Sequence, residues 1–193
     1  MSEQRFPRAR RVALGYSPVE DRLQLRLGLS DRACVAWLPR RVTGVVIDRL
    51  NEALRRSHPA GEGAPAADAV MALEHVAARS ELAGQKGAEA QSEQGAGESG
   101  QPTDPGEPTA HYLITEARVE AREGQLLIGL LGVEQPTGAG LAQSPEPVAG
   151  LSLGRSQAHH FLSMLGEQSR AAQWGLPRSL NWMRRWLTRR RAE

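Results

Sequence analysis

The stretch Arg22-Leu23-Gln24-Leu25-Arg26-Leu27-Gly28-Leu29 (RLQLRLGL) alternates leucine with a polar or small residue at every step. Successive side chains of a β-strand point to opposite faces. Leu23, Leu25, Leu27 and Leu29 therefore form one apolar face, and Arg22, Gln24 and Arg26 form a wet one. That is the pattern of an antiparallel strand with one side on a core and the other in water. Moved 103 positions along the chain, Val12–Leu27 falls on Thr115–Leu130, and Leu23, Leu25 and Leu27 meet Leu126, Ile128 and Leu130. The next segment, Leu38–Glu52, falls on Leu153–Glu167 at an offset of 115. Leu38 then meets Leu153, Arg40 meets Arg155, Val46 meets Phe161, Ile47 meets Leu162 and Leu50 meets Leu165. The offsets differ by 12 residues, which a Gly/Pro-rich loop at Gly132–Pro145 absorbs. The expected fold is α+β. Two pseudo-symmetric βββα units share one antiparallel-sheet-based core, joined by a disordered linker and followed by a basic C-terminal helix.

Working outward, a basic tail covers residues 1–10 and the first unit covers 11–57. Its strands are predicted at Arg11–Ser17, Arg22–Leu29 and Ala33–Leu38. Pro39 then fits the first turn of a helix, where its missing N–H costs nothing. From there the apolar spacing changes to Val42, Val46, Leu50 and Leu54, the period of an amphipathic helix. Residues 58–82 connect onward, with a modest helix built on Val70, Leu73 and Val76. Residues 83–109 hold no aromatic and no β-branched aliphatic residue, too little apolar surface to offset the entropy of ordering. The second unit, 110–176, has strands predicted at His111–Glu120, Gln125–Leu131 and Val148–Leu153. Ser156 is the predicted cap of a helix carrying Ala158, Phe161, Leu162, Leu165, Ser169 and Ala172 on one stripe. Trp174-Gly175-Leu176-Pro177 stops it, and residues 177–193 form a last helix rich in Trp and Arg. Each unit is too small to fold well alone, so the two are expected to pack as one domain, sharing a sheet or face to face.

Composition narrows the functions. The single cysteine, Cys34, sits in an apolar run, which excludes an internal disulfide and a Cys-based zinc site and reads as a small core residue. No apolar run reaches the roughly 20 residues that span a bilayer, and the polar, basic start does not resemble a secretory signal, so a cytoplasmic location is expected. The net charge of +2 hides an asymmetry. Residues 178–191 hold six arginines and no acid, whereas residues 12–177 carry 14 basic against 20 acidic residues.

Catalytic patterns are scarce. His159 and His160 are adjacent, so on a helix they point about 100° apart and share no metal readily; His159, at the edge of the apolar stripe, reads as packed and His160 as solvated. No His-Glu-x-x-His, Gly-x-Ser-x-Gly or Walker pattern occurs, and the glycines of 129–140 read as a loop insertion rather than a phosphate cradle. The expectation is a non-enzymatic protein without cofactor or metal. Its leading reading is an interaction or adaptor protein that binds a protein partner, or copies of itself, through an apolar face. Leu127 and Leu131, flanking Gly129, make the second unit's outer face apolar. The last helix either caps the chain's own core, with its arginines shielding the acidic body, or docks in trans, where Trp182, Arg184, Arg185, Trp186, Arg189, Arg190 and Arg191 would add electrostatic attraction to that partner. The alternative is a single-stranded nucleic-acid-binding protein using Arg11, Arg22, Arg26 and Trp37 together with that helix. Peripheral attachment to an anionic membrane surface is a third reading.

Overall fold

A computed structural model of the chain describes residues 5–57, 108–135 and 144–176, together with positions 73, 74, 76, 77 and 80. Strands β1 (Arg11–Ser17), β2 (Arg22–Gly28) and β3 (Ala33–Leu38) form an antiparallel meander that leads into helix α1 (Arg40–Arg56). Strands β4 (Ala110–Arg122), β5 (Gln125–Gln135) and β6 (Glu146–Leu153) repeat the meander and lead into helix α2 (Arg155–Ala171). The six strands lie in one sheet in sequence order. β3 and β4 run parallel, so the sheet is mixed, where an antiparallel one was expected. The reason is topological. The chain leaves β3 through α1 and the connecting residues, a crossover long enough to restart β4 in the same direction.

The alternation read from the sequence decides which side is buried. Leu23, Leu25 and Leu27 of β2 and Leu126, Ile128 and Leu130 of β5 all lie in one apolar cluster with Val46, Ile47, Leu50 and Leu54 of α1 and Ala158, Phe161, Leu162 and Leu165 of α2. α1 packs on β4 and against α2, and α2 reaches across to β1. The two halves therefore share a sheet and a core.

Element boundaries moved where local geometry outweighed pattern. β5 runs on through Gly132 to Gln135, so the loop expected from Gly132 starts later; residues 136–143 lie outside those described. The predicted cap Ser156 is inside α2; Gly154 holds the cap position, and its N–H donates to Gln157 Oε1 at 2.9 Å. Pro39 is the cap residue of α1, with an extended backbone that lets its carbonyl accept from Thr43 N–H at 3.0 Å. The β4–β5 hairpin turns on Glu123 and Gly124, both at positive φ (52° and 76°), which matches the right-handed twist of the flanking strands. Of the linker expected at 83–109, residues 83–107 fall outside those described. Thr109 is tied to β3, its N–H and Oγ1 both donating to Ala33 O at 2.9 and 3.1 Å.

The largest departure lies at the N-terminus. Residues read as a basic tail instead join the two edges of the sheet. Gly150 N–H of β6 donates to Pro7 O at 2.7 Å, and Ala9 N–H donates to Gly150 O at 2.9 Å. One residue on, Arg10 N–H donates to Gly28 O of β2 at 2.8 Å. The segment ahead of β1 thus runs parallel to β6 and brings the ends of the sheet together. Joining edges removes open backbone groups that would otherwise pair with another chain.

Candidate functional site

Register places the wet-face residues precisely enough to map a surface. Ala13, Arg26, Val35 and His111 form one row across β1 to β4, and Gly15, Gln24, Trp37 and Leu113 form the next. Arg22 and Arg11 lie on the same face, opposite Ser17 and Gly28. Trp37, whose side the alternation left open, is outside the apolar cluster and half-buried on this face. Its ring stacks on His111, with centroids 6.2 Å apart and planes 25° apart. Trp37 Nε1–H donates to His111 Nδ1 at 3.3 Å. The four positions singled out in the sequence (Arg11, Arg22, Arg26 and Trp37) therefore share one side of the sheet, joined by a histidine the sequence reading passed over. Arg22 Nη1 lies 3.3 Å from Glu20 Oε2. An exposed pair of this kind contributes at most about 1 kcal/mol and yields readily to a stronger anion.

The C-terminal positions Trp182, Arg184, Arg185, Trp186, Arg189, Arg190 and Arg191 lie outside the described residues. Of the apolar outer positions of β5, Leu127 is half-buried and Leu131 is buried. Leu131 is 2% exposed. Gly129 sits beneath the Phe6 ring, so close that a Cβ there would fall 2.7 Å from Phe6 Cζ. Gly150, its partner on β6, faces Phe6 Cβ. Two paired glycines in adjacent strands signal close approach by another group; both glycines are visible in the sequence, but their pairing is not.

A second polar cluster was also missed. Arg155, the first residue of α2, grips Glu74 through Nε at 3.0 and 2.9 Å and donates from Nη1 to Leu54 O at 2.8 Å. His159, 2% exposed, holds Glu74 Oε2 at 3.2 Å through Nε2. Burial pushes the imidazole pKa below its ordinary value, more than the facing Glu74 raises it, and Arg155 pushes the same way as burial. Burial works against the Glu74 carboxylate as well, but hydrogen bonding and charge from Arg155, with His159, hold its pKa down. Both folded-state values are depressed, so both contributions are present at neutral pH and shrink on acidification. Stability is expected to fall as pH drops below 6.5 through the histidine's lowered range, and again below 4.5 as Glu74 is protonated. Urea titrations between pH 7.5 and 4 measure this, and His159→Gln should flatten the upper part of the slope.

The remaining candidates are structural. Cys34 is 1% exposed, and burial raises its thiol pKa, which keeps it protonated at neutral pH. Asp21 Oδ1 accepts from Tyr16 Oη at 3.0 Å and Trp174 Nε1 at 2.8 Å, fastening the chain after α2 to the β1–β2 turn. Among the described residues no three His, Cys, Asp or Glu side chains gather as metal ligands, and no helix is long and apolar enough to cross a membrane. Comparison with known protein families, curated proteins and solved structures finds no match to this chain.

Proposed function

We propose that the protein binds single-stranded nucleic acid across the outer face of β1 to β4. The observation that carries this reading is the common face of Arg11, Arg22, Arg26 and Trp37, with His111 stacked on the tryptophan. A sheet face of this kind offers an aromatic surface on which a base stacks and guanidinium groups that track phosphates. Binding a protein through the apolar face of β5 is less well supported, because Phe6 already covers Gly129 and Leu131 is buried. The six arginines of 178–191 would extend the same electrostatic attraction.

We also read the two βββα runs as copies of one unit. In support, the equivalenced leucines of β2 and β5 are buried in the same cluster, and Arg40 and Arg155 each open a helix.

Fluorescence anisotropy of a labelled 20-nucleotide single strand, measured from 50 to 300 mM salt, tests the function. Affinity should fall steeply with salt. Arg22→Gln with Arg26→Gln should reduce the slope of log K against log salt by about 1.4, at about 0.7 per phosphate contact. Trp37→Ala should weaken binding by about 1–3 kcal/mol through lost stacking. Absent or salt-independent binding would refute the proposal and return the protein-partner reading to first place.

A further inference from the structure

On the other half of the sheet, one row of paired residues runs Arg118 (β4), Gly129 (β5), Gly150 (β6) and Arg8 on the segment ahead of β1. Two glycines in the middle and an arginine at each end make a trough rather than a ridge. Phe6 lies in it, filling the space that side chains at the glycines would take. The next row adds Glu120, Leu127 and Ser152, and Arg122 closes the end nearest the β4–β5 turn. Together they line a half-open groove of about 540 Å³. That volume lies within the range of about 300–1,000 Å³ typical of small-molecule sites.

The chemistry of the lining is divided. The floor, Phe6 and Leu127, is apolar and broad. The walls carry three guanidinium groups against one carboxylate, Glu120, within the groove itself. Glu116 and Glu123 stand just outside, the first 2.9 Å from Arg118 Nε and the second 3.9 Å from Arg122 Nε. Arg8 is exposed and makes no ion pair among the described residues. Arg8, on the segment ahead of β1, and Arg122, in β4, stand on either side of the floor. We propose that this groove binds a small anion with a flat apolar body, of the size of a nucleoside monophosphate. The flat body rests on Phe6 and Leu127 between Arg8 and Arg122, whose charges flank it and attract the anionic group. The site lies further along β4 than His111 and Leu113 of the strand-binding face, and its ligand is a free mononucleotide-like anion.

Amide NMR of the full chain tests this, with adenosine monophosphate, adenosine and inorganic phosphate as probes. The monophosphate is expected to shift the Leu127, Gly129, Gly150 and Ser152 amides, with an affinity at least tenfold above that of either fragment. Arg8→Gln and Arg122→Gln, both at exposed positions, should each weaken binding about tenfold while leaving the spectrum of the unliganded protein intact. No shift in the groove at millimolar monophosphate would overturn the proposal. So would equal affinity for adenosine, or undiminished binding by the double variant. Shifts confined to Val35, Trp37 and His111 would also overturn it, while leaving the strand-binding reading untouched.

Discussion

Replacing Gly132 with alanine is expected to destabilise the protein by about 3 kcal/mol, near the upper end of what forced overpacking costs. Gly132 sits in β5 opposite Ile114, where β4 bulges between Ile114 and Glu116. A Cβ there would collide with the backbone carbonyl oxygen of Leu113, and Ile114 Cδ1 lies only 3.0 Å away. A carbonyl held in a strand has no rotamer to escape into, so the strands must part. Gly15 in β1 is the control. Nothing lies within 4 Å of a Cβ there, and alanine should be neutral or gain up to about 1 kcal/mol by restricting the unfolded chain. Urea denaturation of the two variants reads both effects.

Leu50→Ala is expected to cost about 3 kcal/mol, within the range for deleting a fully buried leucine side chain. Leu50 is 0% exposed on α1 and belongs to the cluster that holds residues of both halves. The instructive part is where the loss is felt. Because β2 and β5 line one core, native-state hydrogen exchange should show amides of both strands losing the same protection. A loss confined to β2 would mean that the halves unfold separately.

How much of this was legible in the sequence depends on how local the signal was. β1 and β3 were found at their observed limits because alternation in the first, a short continuous apolar run in the second, and the turn signals Ser17-Pro18 and Ser30-Asp31 are all short-range properties. The helices followed from the change of period at Val42 and Ala158. The parallel join of β3 to β4 was not legible, because strand direction across a long connection leaves no local trace. Phe6 and Arg8 were lost in a stretch that reads as a charged tail; its partner, the Gly129–Gly150 pair, lies more than 100 residues away. His159 was placed as a packed residue, but its carboxylate partner, Glu74, is 85 residues distant and no spacing rule connects them. Arg11, Arg22 and Arg26 were legible as a wet face; Trp37 was not, because every neighbour in Ala33–Leu38 is apolar. Only the register with Gln24 shows which way it points.

The outer face of β1 to β4 is the centre of the functional account, and an amide NMR footprint of a single-stranded oligonucleotide on the full-length chain tests it most directly. Binding there should move residues 22–26, 35–37 and 111–113 together, and leave buried positions of α1 and α2 unchanged. Perturbations gathered on the helices, or none at all at saturating oligonucleotide and low salt, would contradict it.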